Sequence, residues 1–175
     1  LREVYKSVEN ISLLIDNVLY WIKSQNTGVI SQPELFSASD GISENISLYS
    51  VMAKWKKIKI TNDTNANHFV FSDRNIFDTI IRNLLSNSLK FTEEGGEIKF
   101  RSIQDKFSTT IELEDTGKGM SESQLAEIFD TESHQTSNGT SNEKGTGLGL
   151  GMVDEFVSLI GASFSINSKP DQGTT

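Results

Sequence analysis

Three short motifs rich in asparagine, aspartate and glycine lie in one order between residues 83 and 151. They are NLLSNSLKFT (83–92), DTGKG (115–119) and GTGLGLG (145–151). Asparagine oxygens suit a hard cation such as Mg²⁺, a fixed carboxylate accepts an amine, and backbone amides at a glycine-rich helix start attract phosphate. Any one motif alone would be weak evidence, but together they predict a site for a nucleotide and its metal.

The first motif lies on a predicted helix from Asp73 to about Phe91. Asn83, Asn87 and Lys90 stand at i, i+4 and i+7, so all three project from one stripe of that helix. Two asparagines inside a helix ask for a reason, since asparagine is a poor helix former. An isolated pair would more often be surface polar residues. The same stripe could offer amide oxygens to a cation and the charge of Lys90 to a phosphate.

The second motif follows a predicted strand, where such a string is most often a simple turn. Asp115 would then bond its own backbone, and a glycine would supply a positive φ. In a functional interpretation, Asp115 accepts the exocyclic amine of a base such as adenine. Gly117 and Gly119 would let that base lie against the backbone.

The third motif opens a predicted helix, where backbone amides without a Cβ in the way favour phosphate. Two rival phosphate loops are excluded. The lysine-tipped loop needs Gly-Lys-Ser or Gly-Lys-Thr after a four-residue spacer, which does not occur, and the GxGxxG pattern meets Leu150 or Met152 where its last glycine belongs. A glycine-rich hinge without a ligand stays open as an alternative.

The three motifs in this order resemble the ATPase superfamily of type II topoisomerases, MutL-type repair ATPases, heat-shock chaperones and sensor histidine kinases. Their wording is most similar to the catalytic, ATP-binding domain of a bacterial sensor histidine kinase. The resemblance implies ATP and Mg²⁺ as cofactors, with Asn87 as metal ligand, Asp115 reading adenine and Phe91 packing beside the nucleotide. It implies a nucleotide site made of Asn83, Asn87, Lys90, Phe91, Asp115, Gly117, Gly119, Met120, Lys144, Gly145, Thr146, Gly147, Leu148, Gly149, Leu150 and Thr174.

The remaining pattern sets the expected architecture. An apolar heptad seam predicts a long coiled-coil-like helix over 1–26, formed by Leu1, Val4, Val8, Ile11, Ile15, Val18 and Ile22. This helix resembles the second helix of a histidine kinase dimerisation hairpin. Residues 27–175 would form the catalytic ATP-binding domain without its last strand, because Gly173-Thr174 resembles the start of the final glycine box.

Alternating helical and strand patterns predict an α/β (α+β) two-layer sandwich, a mixed sheet with helices packed on one face. A polar linker containing Pro33 would precede helices at about 38–57, 73–91, 121–129 and 147–160. Val51 and Trp55 are among the residues expected on the apolar face of the first of these helices, and Ser121 with Gln124 is a capping box for the third. Strands are predicted at about 58–62, 68–72, 97–103, 108–114 and 163–168, and a mobile loop at 131–144.

Charge and composition narrow the functional classes. The net charge of −8 disfavours nucleic-acid binding, and the one basic cluster, Lys54 to Lys59, is predicted to be a solvated helix end. There is no cysteine and no apolar run long enough for a membrane span. We therefore expect a cytoplasmic domain, whose parent protein is either free or anchored in the inner membrane.

One position separates the hydrolases of the superfamily from its kinases. Where hydrolases carry a glutamate as general base, this chain has Asn83, which takes no proton at neutral pH. The expected reaction is therefore presentation of the γ-phosphate of ATP to a histidine on another segment. Neither His68 nor His134 is followed by the acid and proline typical of a phosphoacceptor.

The resemblance also implies partners: the histidine-bearing dimerisation helix, a response-regulator receiver domain and a second copy in a homodimer. Three alternatives stay open. The chain could be a nucleotide-sensing module that transfers nothing, a superfamily ATPase, or a dimerisation scaffold built on the heptad helix.

Overall fold

The computed structural model describes residues 32–128, 139–140 and 149–175. The predicted helix at 1–26 and most of the predicted loop at 131–144 lie outside these ranges. The elements in chain order are β1 (Pro33–Ser37), α1 (Ala38–Trp55), β2 (Lys59–Asp63), β3 (Phe69–Asp73), α2 (Arg74–Phe91), β4 (Glu97–Gln104), β5 (Thr109–Asp115), α3 (Glu122–Ile128) and α4 (Gly149–Leu159).

The strands form a mixed arrangement in two parts. β2 pairs with β4 in parallel and β4 pairs with β5 antiparallel, while β1 and β3 form an antiparallel pair. The backbone oxygen of Phe69 in β3 accepts from Gln104 Nε2 at 3.1 Å and from Thr109 Oγ1 at 2.7 Å. These side-chain bonds connect the small pair to the ends of the β4–β5 hairpin.

The helices α1 and α2 cover the inner side of the strands. Inward residues of β4 alternate with outward charged ones, such as Arg101, which pairs with Glu114 of β5. The shared core contains Ile42, Tyr49, Ala53, Ile58, Phe77, Ile81, Leu85, Leu89, Ile98 and Phe100. The predicted mixed sheet with helices packed against it is therefore confirmed.

Local signals explain why the predicted helices form where they do. The Asp73 carboxylate accepts from the amides of Asn75 and Ile76 and so caps α2. Ser121 and Gln124 exchange hydrogen bonds as a capping box before α3, as expected. No described helix is long and apolar enough to cross a membrane.

Three predictions about these elements are wrong. Residues 33–37 form β1 instead of a linker, because they pair with β3, and this pairing cannot be seen in their own sequence. The strand expected at 163–168 is absent from this described stretch except for a single bridge at Ser168, which pairs with Thr174. Val51 and Trp55, expected to face the core, are 41% and 42% exposed.

The prediction that all the lysines between Lys54 and Lys59 are solvated is wrong for Lys56. Lys56 is only 4% exposed, whereas Lys54, Lys57 and Lys59 are exposed. Lys57 has a left-handed backbone (φ 53°) and pairs with Glu94 at 2.7 Å. This change of direction at the end of α1 places the Lys56 side chain inside the protein.

Candidate nucleotide-binding site

Asp115 ends β5 and lies against the last turns of α2. The residue is 8% exposed, and its carboxylate accepts from Ser88 Oγ and from the Gly117 amide, both at 2.9 Å. Burial raises the pKa of Asp115, and the hydrogen bonds from Gly117 and Ser88 oppose that rise. A carboxylate accepts about four hydrogen bonds, so its two oxygens keep capacity for a ligand amine.

The turn after Asp115 comes so close to α2 that it needs glycine. A Cβ on Gly117 would lie 2.7 Å from the backbone oxygen of Phe91 and 2.8 Å from Asp115 Oδ1. The Lys118 amide donates to the same Phe91 oxygen at 3.1 Å. Gly119 has φ +61°, and its Cβ would lie 1.8 Å from the Lys169 oxygen. The first and second motifs are therefore in direct contact.

Two lysines lie over one aromatic ring at this junction. Lys90 Nζ is 4.4 Å and Lys118 Nζ is 4.8 Å from the centre of the Phe91 ring. The sequence predicts no role for Lys118, because a lysine in a turn does not by itself indicate a contact with an aromatic ring. The two ammonium groups thus place two positive charges beside the Phe91 ring.

The two asparagines of the first motif occupy different environments. Asn83 is 1% exposed, and its Nδ2 donates to the backbone oxygen of Thr79 at 2.9 Å. Asn87, one turn later, is half-buried. Among the described residues, no group of three or more histidine, cysteine, aspartate or glutamate side chains could hold a metal ion. An amide oxygen is a ligand that Mg²⁺ accepts, so the half-buried Asn87 fits a magnesium ion that would bring phosphate oxygens and water as its other ligands.

The C-terminal residues close the site from the other side. The Asp115 amide donates to the Thr174 oxygen at 2.9 Å, and the Met120 amide donates to Ser168 Oγ at 2.9 Å. Ser168 Oγ also lies 2.8 Å from Thr174 Oγ1. A Cβ on Gly173 would lie 1.9 Å from the Asp115 oxygen, so this contact also requires glycine. Met120 and Thr174 are thus both brought to the turn, and their role in nucleotide binding stays a prediction.

The third motif is described only in part. Lys144, Gly145, Thr146, Gly147 and Leu148 lie outside the described residues, whereas Gly149 and Leu150 begin α4. α4 packs against α2 and buries Val153, Phe156 and Val157. The start of this helix therefore belongs to the same side of the protein as the first motif.

Ser88 is a site residue that sequence reasoning missed. It lies inside the first motif, but nothing in its spacing shows that it contacts Asp115, 27 residues further along the chain. Only the packing of α2 against the end of β5 brings the two together. A serine next to a predicted ligand residue was the one available signal.

Comparison with known proteins agrees with this geometry. The family described as "Histidine kinase-, DNA gyrase B-, and HSP90-like ATPase" matches residues 72–175. The cell-division control histidine kinase PdhS of Brucella abortus (strain S19) is 29% identical over 185 residues, covering 99% of this chain and 18% of PdhS. The autoinducer 2 sensor kinase/phosphatase LuxQ of Vibrio parahaemolyticus (serotype O3:K6, strain RIMD 2210633) is 27% identical over 176 residues, covering 97% of this chain and 20% of LuxQ.

Solved structures with the same fold are also histidine kinases. Full-length ShkA in complex with AMPPNP has a TM-score of 0.76 at 20% identity, over 97% of this chain and 35% of that chain. The catalytic domain of histidine kinase ThkA has a TM-score of 0.69 at 23% identity, over 82% of this chain and 91% of that chain. ThkA in complex with response regulator protein TrrA has a TM-score of 0.70 at 18% identity, over 94% of this chain and 46% of that chain.

The resemblance drawn from the three motifs is confirmed. The residues that match the family include all three motifs, and the two relatives are named as a histidine kinase and a sensor kinase/phosphatase. The chain spans about a fifth of the length of these curated relatives.

Proposed function

Because the chain belongs to the histidine kinase-, DNA gyrase B- and HSP90-like ATPase family, we propose that it binds Mg²⁺ and ATP as the catalytic part of a two-component sensor histidine kinase. Its task is to present the γ-phosphate to a histidine carried by a dimerisation helix. The product, a phosphohistidine, then passes its phosphoryl group to a response-regulator receiver domain.

The observation that carries this proposal is the position of Asp115. A nearly buried carboxylate stands behind a glycine turn, with one bond to Ser88 and one to Gly117. A buried acceptor with spare capacity favours an amine donor such as that of adenine, because leaving it without partners costs free energy. Gly117 and Gly119 let the turn that follows this carboxylate pack closely against the backbone oxygens of Phe91 and Lys169.

The first motif supports transfer over hydrolysis. Magnesium, when bound, would neutralise the charge of the phosphates, and Asn87 would hold it in place. Lys90 would add a positive charge near them. Asn83 has a buried amide bonded to its own helix and no group that could remove a proton from water. Catalysis by this chain would therefore rest on positioning and charge.

The described histidine is poorly suited to accept the phosphoryl group. His68 Nδ1 lies 2.8 Å from Ser102 Oγ, and the His68 backbone oxygen accepts from the Ala38 amide at 3.0 Å. His68 is thus built into the turn before β3. The acceptor is therefore proposed to be a histidine of a dimerisation hairpin, to which residues 1–26 would contribute the second helix.

The partner proposals follow from the same family. A receiver domain is proposed because the related ThkA has been solved in complex with response regulator protein TrrA. A homodimer in the full-length protein is proposed from the heptad seam. The catalytic part would work in the cytoplasm, where ATP and a receiver domain are both available.

The test uses ATP labelled in its γ-phosphate, with the chain alone and with an added helical hairpin that carries a phosphoacceptor histidine. We expect no label on the chain alone and slow, acid-labile labelling of the added hairpin. Transfer is slow because the effective concentration of linked parts is lost. Acid-labile label at His68 or His134 would contradict the proposal.

Two other outcomes would favour the alternatives. Steady release of phosphate that the added hairpin does not change would identify a superfamily ATPase. Tight ATP binding with neither transfer nor release would identify a nucleotide-sensing module.

A further inference from the structure

Lys56 places a buried positive charge at the end of the helix that carries the first motif. Its ammonium donates to the backbone oxygens of Leu89 at 2.7 Å and Lys90 at 3.3 Å, and to Thr140 Oγ1 at 2.7 Å. These acceptors match the three donors of an ammonium group. A cation is also favoured at a helix C-terminus, where carbonyl groups lack partners within the helix.

Thr140 completes the same cluster from a different part of the chain. Its amide donates to the Lys90 oxygen at 3.0 Å, and its hydroxyl lies 3.1 Å from that oxygen and 3.0 Å from the Thr92 oxygen. Lys56 and Thr140 therefore hold the carbonyl groups of residues 89, 90 and 92 between them.

The turn that they hold is the one from which the nucleotide site is built. Ser88, just before it, donates to Asp115, and the Phe91 oxygen within it accepts the amide of Lys118. A shift of this turn would move the Asp115 carboxylate and the glycine turn together. Lys56 itself is directed towards the carbonyl end of α2 and not towards the Asp115 carboxylate.

We propose that Lys56, together with Thr140, is a positioning residue of the nucleotide site, which acts by fixing the last turn of α2. The inference rests on the proposed binding of ATP. It assigns a role in nucleotide affinity to a lysine at the end of α1. The competing explanation is that Lys56 only stabilises the fold, and the two explanations differ in what they predict for the folded protein.

The main test compares Lys56→Met with Lys54→Met, which removes the same charge from an exposed position in the last turn of α1. Affinities for ADP and ATP with Mg²⁺ are measured by calorimetry at low temperature, and unfolding by urea shows that each variant is folded. We expect Lys56→Met to weaken both nucleotides by about ten-fold, a common size of coupling between linked sites. Lys54→Met should stay within about two-fold, as usual for an exposed charge.

A second pair of variants keeps the test decisive if Lys56→Met does not fold. Thr140→Val removes the hydroxyl at nearly constant shape and should also weaken both nucleotides, whereas Thr140→Ser keeps the hydroxyl and should restore affinity. In a folded Lys56→Met protein, adding Thr140→Val should cost less than the sum of the two single changes.

Unchanged nucleotide affinity in folded Lys56→Met and Thr140→Val proteins would overturn this inference and leave the proposed function intact. The same holds if Thr140→Ser is as weak as Thr140→Val. A wild-type chain that binds neither ADP nor ATP would refute the proposed function, and this inference with it.

Discussion

The substitution Asp115→Asn separates nucleotide recognition from folding, because the amide can keep the local hydrogen bonds but not the acceptor for an amine. The asparagine oxygen can still accept from the Gly117 amide. Its Nδ2 would face Ser88 Oγ, and a hydroxyl can rotate to accept instead of donate. The amine of adenine would then meet another donor where it had a charged acceptor.

The size of the loss follows from that single bond. A hydrogen bond to a charged group contributes about 1.5–3 kcal/mol, so ADP and ATP should bind roughly ten- to a hundred-fold more weakly. The free energy of unfolding should rise or stay constant. Burial raises the pKa of Asp115, so the neutral acid is favoured more in the folded protein than in the unfolded chain. Above the folded pKa the ionised side chain therefore costs stability, a cost that asparagine removes.

Calorimetry with ADP and ATP, together with urea unfolding at pH 7, checks both halves of this prediction. The matched control is Glu114→Gln, which removes the same charge from the preceding residue of β5. Glu114 is exposed and pairs with Arg101 at 3.1 Å, so its loss should change neither quantity appreciably. Unchanged ADP affinity in Asp115→Asn would remove Asp115 from the site. A clearly lower urea midpoint would refute the argument from its pKa.

Three further predictions concern the same site. Asn87→Ala should weaken nucleotide binding in Mg²⁺ and change it little in EDTA, with Asn75→Ala at the exposed start of α2 as control; equal losses under both conditions would make Asn87 structural. Gly117→Ala should reduce ADP affinity, because the new Cβ would lie 2.7 Å from the Phe91 oxygen. In Gly151→Ala the new Cβ meets nothing within 4 Å, so the free energy of unfolding should stay the same or rise slightly. Because the pKa of Asp115 is raised, the nucleotide affinity of the wild type should fall on acidification, and this fall should begin at a higher pH than an ordinary aspartate would cause. Asp115→Asn should lose this pH dependence, and identical pH profiles of the two proteins would contradict the prediction.

The helices of this fold could be predicted because their signals are local. α2 has an aspartate cap and apolar residues at helical spacing, and it forms within a residue of the expected range. β1 could not be predicted, since Leu35 is 68% exposed and the strand exists through its pairing with β3. The bridge at Ser168 replaced an expected strand for a similar reason, because its partner Thr174 sets the local path of the chain.

A chemical role can be assigned from the sequence where a residue type carries it, as at Asp115 and Asn87, and both of those roles stay predictions. Supporting residues cannot be assigned in this way. Ser88 and Lys56 make their decisive contacts with residues 27 and 33 positions away, and a lysine beside other lysines is usually exposed. Their roles come from packing, which spacing along the chain does not encode.

The contacts that the C-terminal residues make with the Asp-Gly turn bear on how the protein is made. The Met120 amide depends on Ser168, 48 residues later, and the Asp115 backbone pairs with Thr174. On the ribosome, α2, β4 and β5 are all synthesised before these partners exist. The turn at Asp115 would therefore stay incomplete in a nascent chain until residues 168–174 have emerged. ATP in the cell would then engage this segment late in synthesis, after its core has had time to assemble.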